Sequence, residues 1–339
     1  MSSTLLKKPA FPIKHSLSAY LRNHSRAVNL PISYGELLKF SQNINVYDHN
    51  GKDTLWETVF YQPTLISEIH DKLKQVYALL KLDGERKSLQ HLSIDKVDYC
   101  TFGNSKPFRI KIINNINDNY DYFYVKQADA SRVFGLELEE LLSPNRVVYM
   151  VFQKTLIEEH IVGIPGDQFI TNNLKEAGHN EVRIAKEFVK FNERCYRRLL
   201  GDMRAYNFIV DITPDFDQIQ YRLRAIDFDQ QSYEGRRSFY LPHYFKENRP
   251  YVDFGIKHLS AESVEQYQAE ERTAMARRIH NDKSKLKELL DSMKEHQLST
   301  PEKIKQLRQE LMLKEAVKGL GDCKSMGDLL SCLLNDLNK

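Results

Sequence analysis

The stretch Leu199–Gln230 reads LLGDMRAYNFIVDITPDFDQIQYRLRAIDFDQ. Asp202 follows Gly201, and Asn207 comes five positions later. Two apolar alternating runs then appear, Phe208–Ile212 and Gln220–Ile226, around Thr213-Pro214-Asp215. Period-two alternation with a Pro-Asp pair between the runs predicts a β-hairpin. Directly after it stands Ile226-Asp227-Phe228-Asp229, and before Asp202 lies Asn180–Leu200, whose apolar positions recur at helical spacing. The sequence thus sets one carboxylate at the end of a long helix, an amide at the start of a hairpin and two carboxylates at its end.

Transfer of a phosphoryl group from ATP to a hydroxyl needs such parts. One carboxylate orients or deprotonates the acceptor, while an Asn and a second Asp hold Mg²⁺ against the phosphates. Mg²⁺ takes oxygen ligands, normally one or two carboxylates completed by the phosphates themselves. The D-x-x-x-x-N spacing, the strand pair and the Ile-Asp-Phe-Asp segment resemble the catalytic core of the protein-kinase-like superfamily. The Gly-Asp opening and the Ile-Asp-Phe segment are closer to small-molecule kinases, such as the aminoglycoside and choline kinases, than to eukaryotic protein kinases. The resemblance runs over roughly residues 99–230. It implies Asp202 as the catalytic carboxylate and Asn207 and Asp227 as metal ligands. Arg204 takes the place of a basic side chain near the transferred phosphate, against the alternative of a surface arginine. Asp229 is either a further metal ligand or a carboxylate that starts a turn.

The same resemblance implies a lysine on the third strand of a small antiparallel sheet. Lys126, which closes Tyr122–Lys126 (YFYVK), fills that position and would pair with the α- and β-phosphates. The helix expected over Ala128–Leu142 offers Glu137, Glu139 and Glu140. Phe134, Glu137, Leu138 and Leu141 share one helix face, so Glu137 is the expected holder of Lys126. Backbone amides of Gly103, Asn104, Ser105 and Lys106 are expected to cradle phosphate as turn amides do. Departures from the family pattern are plain. No G-x-G-x-x-G occurs, Leu200 stands where kinases often have His, Asp229 replaces a glycine, and no A-P-E follows. The chain therefore reads as lying outside the eukaryotic protein kinases. A second G-D-x-x-x-x-N, Gly166-Asp167 to Asn172, lacks the preceding helix and following strand pair and reads as a decoy. At most, Asp167 would meet a ribose.

Further out, residues 1–90 read as a mostly helical extension, with Ile66, Ile69, Leu73, Val76, Leu79 and Leu80 at helical spacing. Residues 91–166 read as a strand-rich lobe with one helix, closed by the Gly163-Ile164-Pro165-Gly166 break. Residues 167–339 read as a mostly helical lobe carrying the catalytic loop. The order predicts an α+β, bilobal protein-kinase-like fold with nucleotide near the break, at residues 161–167.

The chain has 339 residues, 41% of them hydrophobic, with 18 Tyr and 17 Phe, which is too aromatic for a disordered protein. No run of apolar residues is long enough for a membrane span, and MSSTLLKKPAFPIKHS lacks the apolar core of a secretory signal. A net charge of +3 gives little reason to expect nucleic acid. The four cysteines show no C-x-x-C pair and read as free thiols of a cytoplasmic protein. The basic groups Arg194, Arg197-Arg198 and Arg236-Arg237 read as a solvated face rather than as phosphate contacts.

The expected activity is ATP- and Mg²⁺-dependent transfer of the γ-phosphoryl group to a hydroxyl of a protein or small-molecule acceptor. Two alternatives stay open: a catalytically weak or inactive kinase-fold regulator, and a nucleotidyl transferase moving AMP on the same fold. Hydrolase and dehydrogenase motifs are absent.

Overall fold

The computed structural model describes residues 8–81, 86–174, 179–215 and 218–337. Helices α1 (His15–Asn23) and α2 (Tyr34–Leu37) precede strands β1 (Gln42–Tyr47) and β2 (Asp53–Phe60) and helix α3 (Pro63–Lys81). Strands β3 (Leu92–Cys100), β4 (Phe108–Asn114) and β5 (Tyr120–Gln127) lead to helix α4 (Ala130–Leu142) and then to β6 (Tyr149–Phe152) and β7 (Thr155–Glu159). Next come β8 (Ile164–Pro165), the one-turn α5 (Gly166–Gln168), the long α6 (Glu181–Arg197) and the hairpin β9 (Phe208–Asp215) and β10 (Gln218–Ala225). The chain ends in α7 (Arg249–His258), α8 (Ala261–Asn281), α9 (Lys283–Lys294), α10 (Pro301–Lys314) and α11 (Met326–Asp336). The α+β class expected from the sequence is the one observed. The chain divides into two compact units, Met1–Asp129 with Val147–His160, and Ala130–Arg146 with Ile161–Lys339.

The first unit is built on a seven-stranded sheet ordered β1-β2-β3-β4-β5-β7-β6, antiparallel throughout. Phe108, Ile110 and Ile112 alternate inward along β4, and Phe123 and Val125 do so along β5. They meet Ile69, Leu73, Val76 and Leu80 of α3 in one apolar cluster. Each such side chain contributes roughly 1.5–3 kcal/mol over leaving it in water. Of the apolar positions expected on α3, Ile66 and Leu79 lie outside this core and are exposed.

Residues 42–60 correct the helical reading of 1–90. They form the β1–β2 hairpin, which joins the sheet through Trp56↔Cys100 and Thr58↔Asp98. The physical reason is local. Val46, Tyr47, Trp56, Val59 and Phe60 favour strands, and the intervening turn is set by one carboxylate. Asp48 Oδ1 accepts from the amides of Asn50 and Lys52, both at 2.9 Å, and Gly51 takes φ +77°.

The second unit is mostly helical around α6, which packs against α7, α8 and β10. Asn180 caps α6, its side chain accepting from the Arg183 amide at 3.1 Å. Phe188, Phe191 and Cys195 face its core. A small sheet ordered β10-β9-β8 stands beside it, so the Gly/Pro break becomes the edge strand β8. The expected hairpin is longer than read, because Thr213-Pro214-Asp215 belongs to β9, and its turn at 216–217 lies outside the described residues. Helix α4, expected beside the strands, belongs to the second unit. The expected helix over Asn180–Leu200 ends three residues early, at Arg197. No disulfide joins the four cysteines, although Cys323 Sγ and Cys332 Sγ lie 3.5 Å apart. Among the described residues no helix is long and apolar enough to cross a membrane.

Candidate active site

Helix α6 ends in a tight reversal. Leu199 adopts φ +53° and the Leu200 amide donates back to the Cys195 carbonyl at 2.9 Å. The following segment is fixed from the far end of the hairpin. The Gly201 amide donates to the Gln230 carbonyl at 3.2 Å, and the fully buried Gln231 donates its Nε2 to the Arg198 and Leu199 carbonyls at 2.6 and 3.2 Å. Residues 199–201 and 230–231 are thus stitched together, which sets Asp202 and the Asp227 segment in one neighbourhood.

Asp202 takes φ +59°, a left-handed conformation that Asp tolerates better than most residues but that is still strained. Its amide donates to the Phe239 carbonyl at 3.1 Å. Its Oδ1 accepts from Arg204 Nε at 2.7 Å, and Arg204 Nη1 donates on to Glu247 Oε1 at 2.9 Å. The Arg204 guanidinium also lies over the Phe245 ring, 4.8 Å from its centroid. Burial raises the Asp202 carboxyl above its ordinary value, and Arg204 opposes that rise.

Asn207 Nδ2 donates to the Asp202 carbonyl at 2.7 Å, so its Oδ1 is the atom left for a cation. The Asn207 carbonyl accepts from the Ile226 amide at 3.1 Å, which places the Asp227 segment next to Asn207. Tyr206 precedes Asn207 in the loop. Burial raises its phenol, Arg204 lowers it, and the carboxylates of Asp202, Glu247 and Asp227 raise it further, so the ring lies in the field of all three. Five sequence-predicted residues therefore come together: Asp202, Arg204, Asn207, Asp227 and Asp229.

The two aspartates are not alike. Asp227 keeps 35% of its side chain exposed and Asp229 only 10%. Arg132 of α4, 2% exposed, donates through Nη1 to Asp227 Oδ1 and to Asp229 Oδ1, both at 2.9 Å. Ser131 Oγ donates to the Gln231 carbonyl at 2.7 Å, and Phe228 packs beneath Gly135. The Asp227 carboxylate and Asn207 Oδ1 are oxygen donors of the kind a hard divalent cation takes. No group of three or more His, Cys, Asp or Glu among the described residues is placed to hold a metal, so phosphate oxygens would have to complete its shell.

The remaining predicted residues divide between the units. In the first, Lys126 sits on β5 with Nζ 2.7 Å from Glu158 Oε2 of the neighbouring β7. The loop between β3 and β4 has Gly103 at φ +97° and Lys106 at φ +39°, and the Lys106 carbonyl accepts from the Tyr34 hydroxyl at 2.9 Å. Ser105 lies in that loop, half-buried. In the second unit, Glu137 is fully buried and lies 3.4 Å from Lys285 Nζ, while Glu140 is 3.8 Å from the same ammonium. Glu139 pairs with Arg198 and accepts from Ser143 Oγ at 2.6 Å.

The decoy Gly166–Asn172 runs into a helical turn, not a strand pair, with Gly166 pressed against Phe208. Of the arginines read as a solvated face, Arg236 is exposed, and the others are otherwise placed. Arg194 is buried between Glu187 at 2.8 Å and Glu271 at 3.2 Å, Arg197 meets Glu193 at 2.7 Å, and Arg237 Nε donates to the Tyr196 hydroxyl at 2.9 Å. Carboxylates brought in from α6 and α8 make this burial possible. Sequence reading missed Arg132, Glu158, Gln231 and Glu247. Only Glu158 left a local signal, a buried carboxylate directly after the apolar Leu156-Ile157 pair of its strand.

No protein-family model matches the chain, and no curated protein matches it. Among solved structures, an ethanolamine kinase of Plasmodium vivax is similar at 11% identity and a TM-score of 0.29, over 82% of this chain and 89% of that one. Titin kinase with its flanking domains is similar at 13% identity and a TM-score of 0.26, over 73% of this chain, which spans 47% of that one. At such overlaps the functional reading rests on the geometry of the site itself.

Proposed function

We propose that the chain is a phosphotransferase moving the γ-phosphoryl group of ATP, with Mg²⁺, to a hydroxyl of a protein or small-molecule acceptor. The observation that carries this reading is the Asp202–Asn207 loop, hydrogen-bonded end to end and tied through the Ile226 amide to the Asp227 segment. In this reading Asp202 takes the acceptor proton. Its raised carboxyl makes it a better base than an ordinary aspartate once ionised. Arg204, anchored by Glu247, keeps the Asp202 side chain in one orientation and holds a fixed positive charge beside it. Asp227 and Asn207 would hold Mg²⁺, which when bound supplies charge neutralisation at the phosphate oxygens. Lys126, paired with Glu158, is the phosphate-binding lysine of this reading. Catalysis of this kind is mostly positioning and electrostatics.

Asp202→Asn should lower transfer by roughly 10²–10⁴-fold while leaving ATP binding nearly unchanged. Isothermal titration of MgATP into wild type and Asp227→Ala, followed by a hydroxyl-acceptor screen, tests the reading. Wild-type turnover by Asp202→Asn sinks it. The regulator reading is favoured by the single glycine of the loop at 103–107; ATP binding without turnover on any acceptor would establish it. Transfer of AMP instead shows in the mass of the product.

A further inference from the structure

We infer that Cys323 and Cys332 form a modification site, a paired dithiol that a small-molecule disulfide converts into an intramolecular disulfide clipping helix α11 to the turn before it. Their Sγ atoms lie 3.5 Å apart, in contact but unbonded. Each is set by its own element. Cys323 follows the tight turn Leu320–Asp322, which Gly319 opens at φ +82°. The Cys323 amide donates to the carbonyl of the buried Leu320 at 3.2 Å. From α10, Arg308 Nη1 donates to the Cys323 carbonyl at 3.0 Å and to that of Gly321 at 3.4 Å. Cys332 lies near the middle of α11. That helix is started by Ser325 and Asp328, whose side chains each accept from the other's backbone amide, at 3.0 and 3.1 Å. Leu329, Leu330, Leu333 and Leu334 bury its apolar face, and it packs against α9. Two separately anchored elements thus hold the thiols in contact, so little further ordering is needed to join them.

Exposure and protonation divide the roles. Cys332 is half-buried, whereas Cys323 is 3% exposed, and burial together with the neighbouring Cys332 thiol pushes Cys323 up to about 12. The thiolate is the attacking form, and a buried, protonated thiol is slow to supply it. Cys332 therefore meets the oxidant first. Having given its proton to solvent, its sulfur attacks one sulfur of glutathione disulfide, forming a mixed disulfide and releasing one glutathione thiolate. Cys323 then gives up its proton and attacks the Cys332 sulfur, expelling the second glutathione. Two protein thiols are oxidised to one disulfide, and one glutathione disulfide is reduced to two thiols.

The test holds the reduced, folded full chain in glutathione disulfide, blocks remaining thiols with iodoacetamide in urea, and cuts with trypsin without reduction. Trypsin separates the two cysteines, because it cuts after Lys318 and Lys324 and leaves them on the peptides Gly319–Lys324 and Ser325–Lys339. The two peptides should appear joined, at their summed mass less two hydrogen atoms. Wild type in which both cysteines are blocked separately, or in which Cys332 keeps glutathione, overturns the inference. Cys323→Ser should stop at the mixed disulfide on Cys332, and Cys332→Ser should take up glutathione at Cys323 at least about tenfold more slowly. Equal rates in the two variants would overturn the order of attack. Titration in glutathione redox buffers separates the fold from mere closeness in sequence. The folded chain should be half-oxidised at a ratio of glutathione disulfide to glutathione squared at least about tenfold lower than the chain in urea. A ratio no lower in the folded chain means that the fold resists the bond, and the inference fails.

Discussion

Asp202 carries two strains at once, a left-handed backbone and a half-buried carboxylate. The carboxylate strain has a definite sign with pH. Burial raises its carboxyl above the ordinary aspartate value, with Arg204 pulling down and Glu247 and Glu234 pushing up. A raised value means that the folded protein holds the proton more tightly than the unfolded chain does. The resulting stabilisation is full below the ordinary aspartate value of about 4 and is lost as pH rises through the folded value. At neutral pH the ionised side chain is then a cost that an amide would not carry. Asp202→Asn should melt at a higher temperature than wild type at pH 7, and the gap should close on acidification toward about pH 4. A lower melting temperature at pH 7 would show instead that the Arg204 pair outweighs burial. The same shift predicts that the acid limb of the rate profile of wild type lies above the range of a solvent-exposed aspartate. An inactive but stabilised variant would mark Asp202 as kept for chemistry rather than for the fold.

Helix α4 is the element whose placement matters most to the site, because Arg132, Gly135 and Glu139 lie on successive turns of it and all pack within the second unit. A Cβ at Gly135 would meet Phe228 Cβ at 2.9 Å and Gln231 Cβ at 3.3 Å, so the helix lies directly on the Asp227 segment. Gly135→Val should therefore cost about 2 kcal/mol or more in urea denaturation despite the poor helix propensity of glycine, and should weaken metal uptake along with it. Unchanged stability would mean that α4 slides away without loss. How far this was legible in the sequence depends on range. The D-x-x-x-x-N loop, its hairpin and the Ile-Asp-Phe-Asp segment are contiguous, so period and spacing find them. The Arg132 link to Asp227 spans 95 residues, and the Glu137 and Glu139 partners, Lys285 and Arg198, are also remote in sequence. Helix periodicity could say that these glutamates share faces, but not what the faces would meet. The β1–β2 hairpin leaves its signal in the turn from Asp48 to Gly51, ahead of the residues whose helical period marks α3.

At the scale of the whole molecule, neither compact unit is a continuous piece of chain. The first closes only when residues 147–160 return to the sheet as β6 and β7, and the second takes residues 130–146 from between them. Cutting the chain at the Gly/Pro break, where the sequence invites a division, therefore removes α4 from the unit it belongs to. In residues 161–339 alone, Arg198, buried in the whole chain, would lose the Glu139 carboxylate that meets it. A buried arginine stripped of its partner costs about 3–5 kcal/mol. Asp227 and Asp229 would face each other with no guanidinium between them, and Phe228 and Gln231 would lose the helix that covers them. Against a total stability of about 5–15 kcal/mol for a domain, such losses are decisive. Residues 161–339 expressed alone should show helical far-ultraviolet dichroism without a cooperative melt. Supplying residues 130–146 through a flexible linker to Ile161 should restore a sharp transition. If the shorter piece melts cooperatively by itself, α4 is a passenger on the second unit, and its hold on the acidic segment is weaker than its contacts indicate.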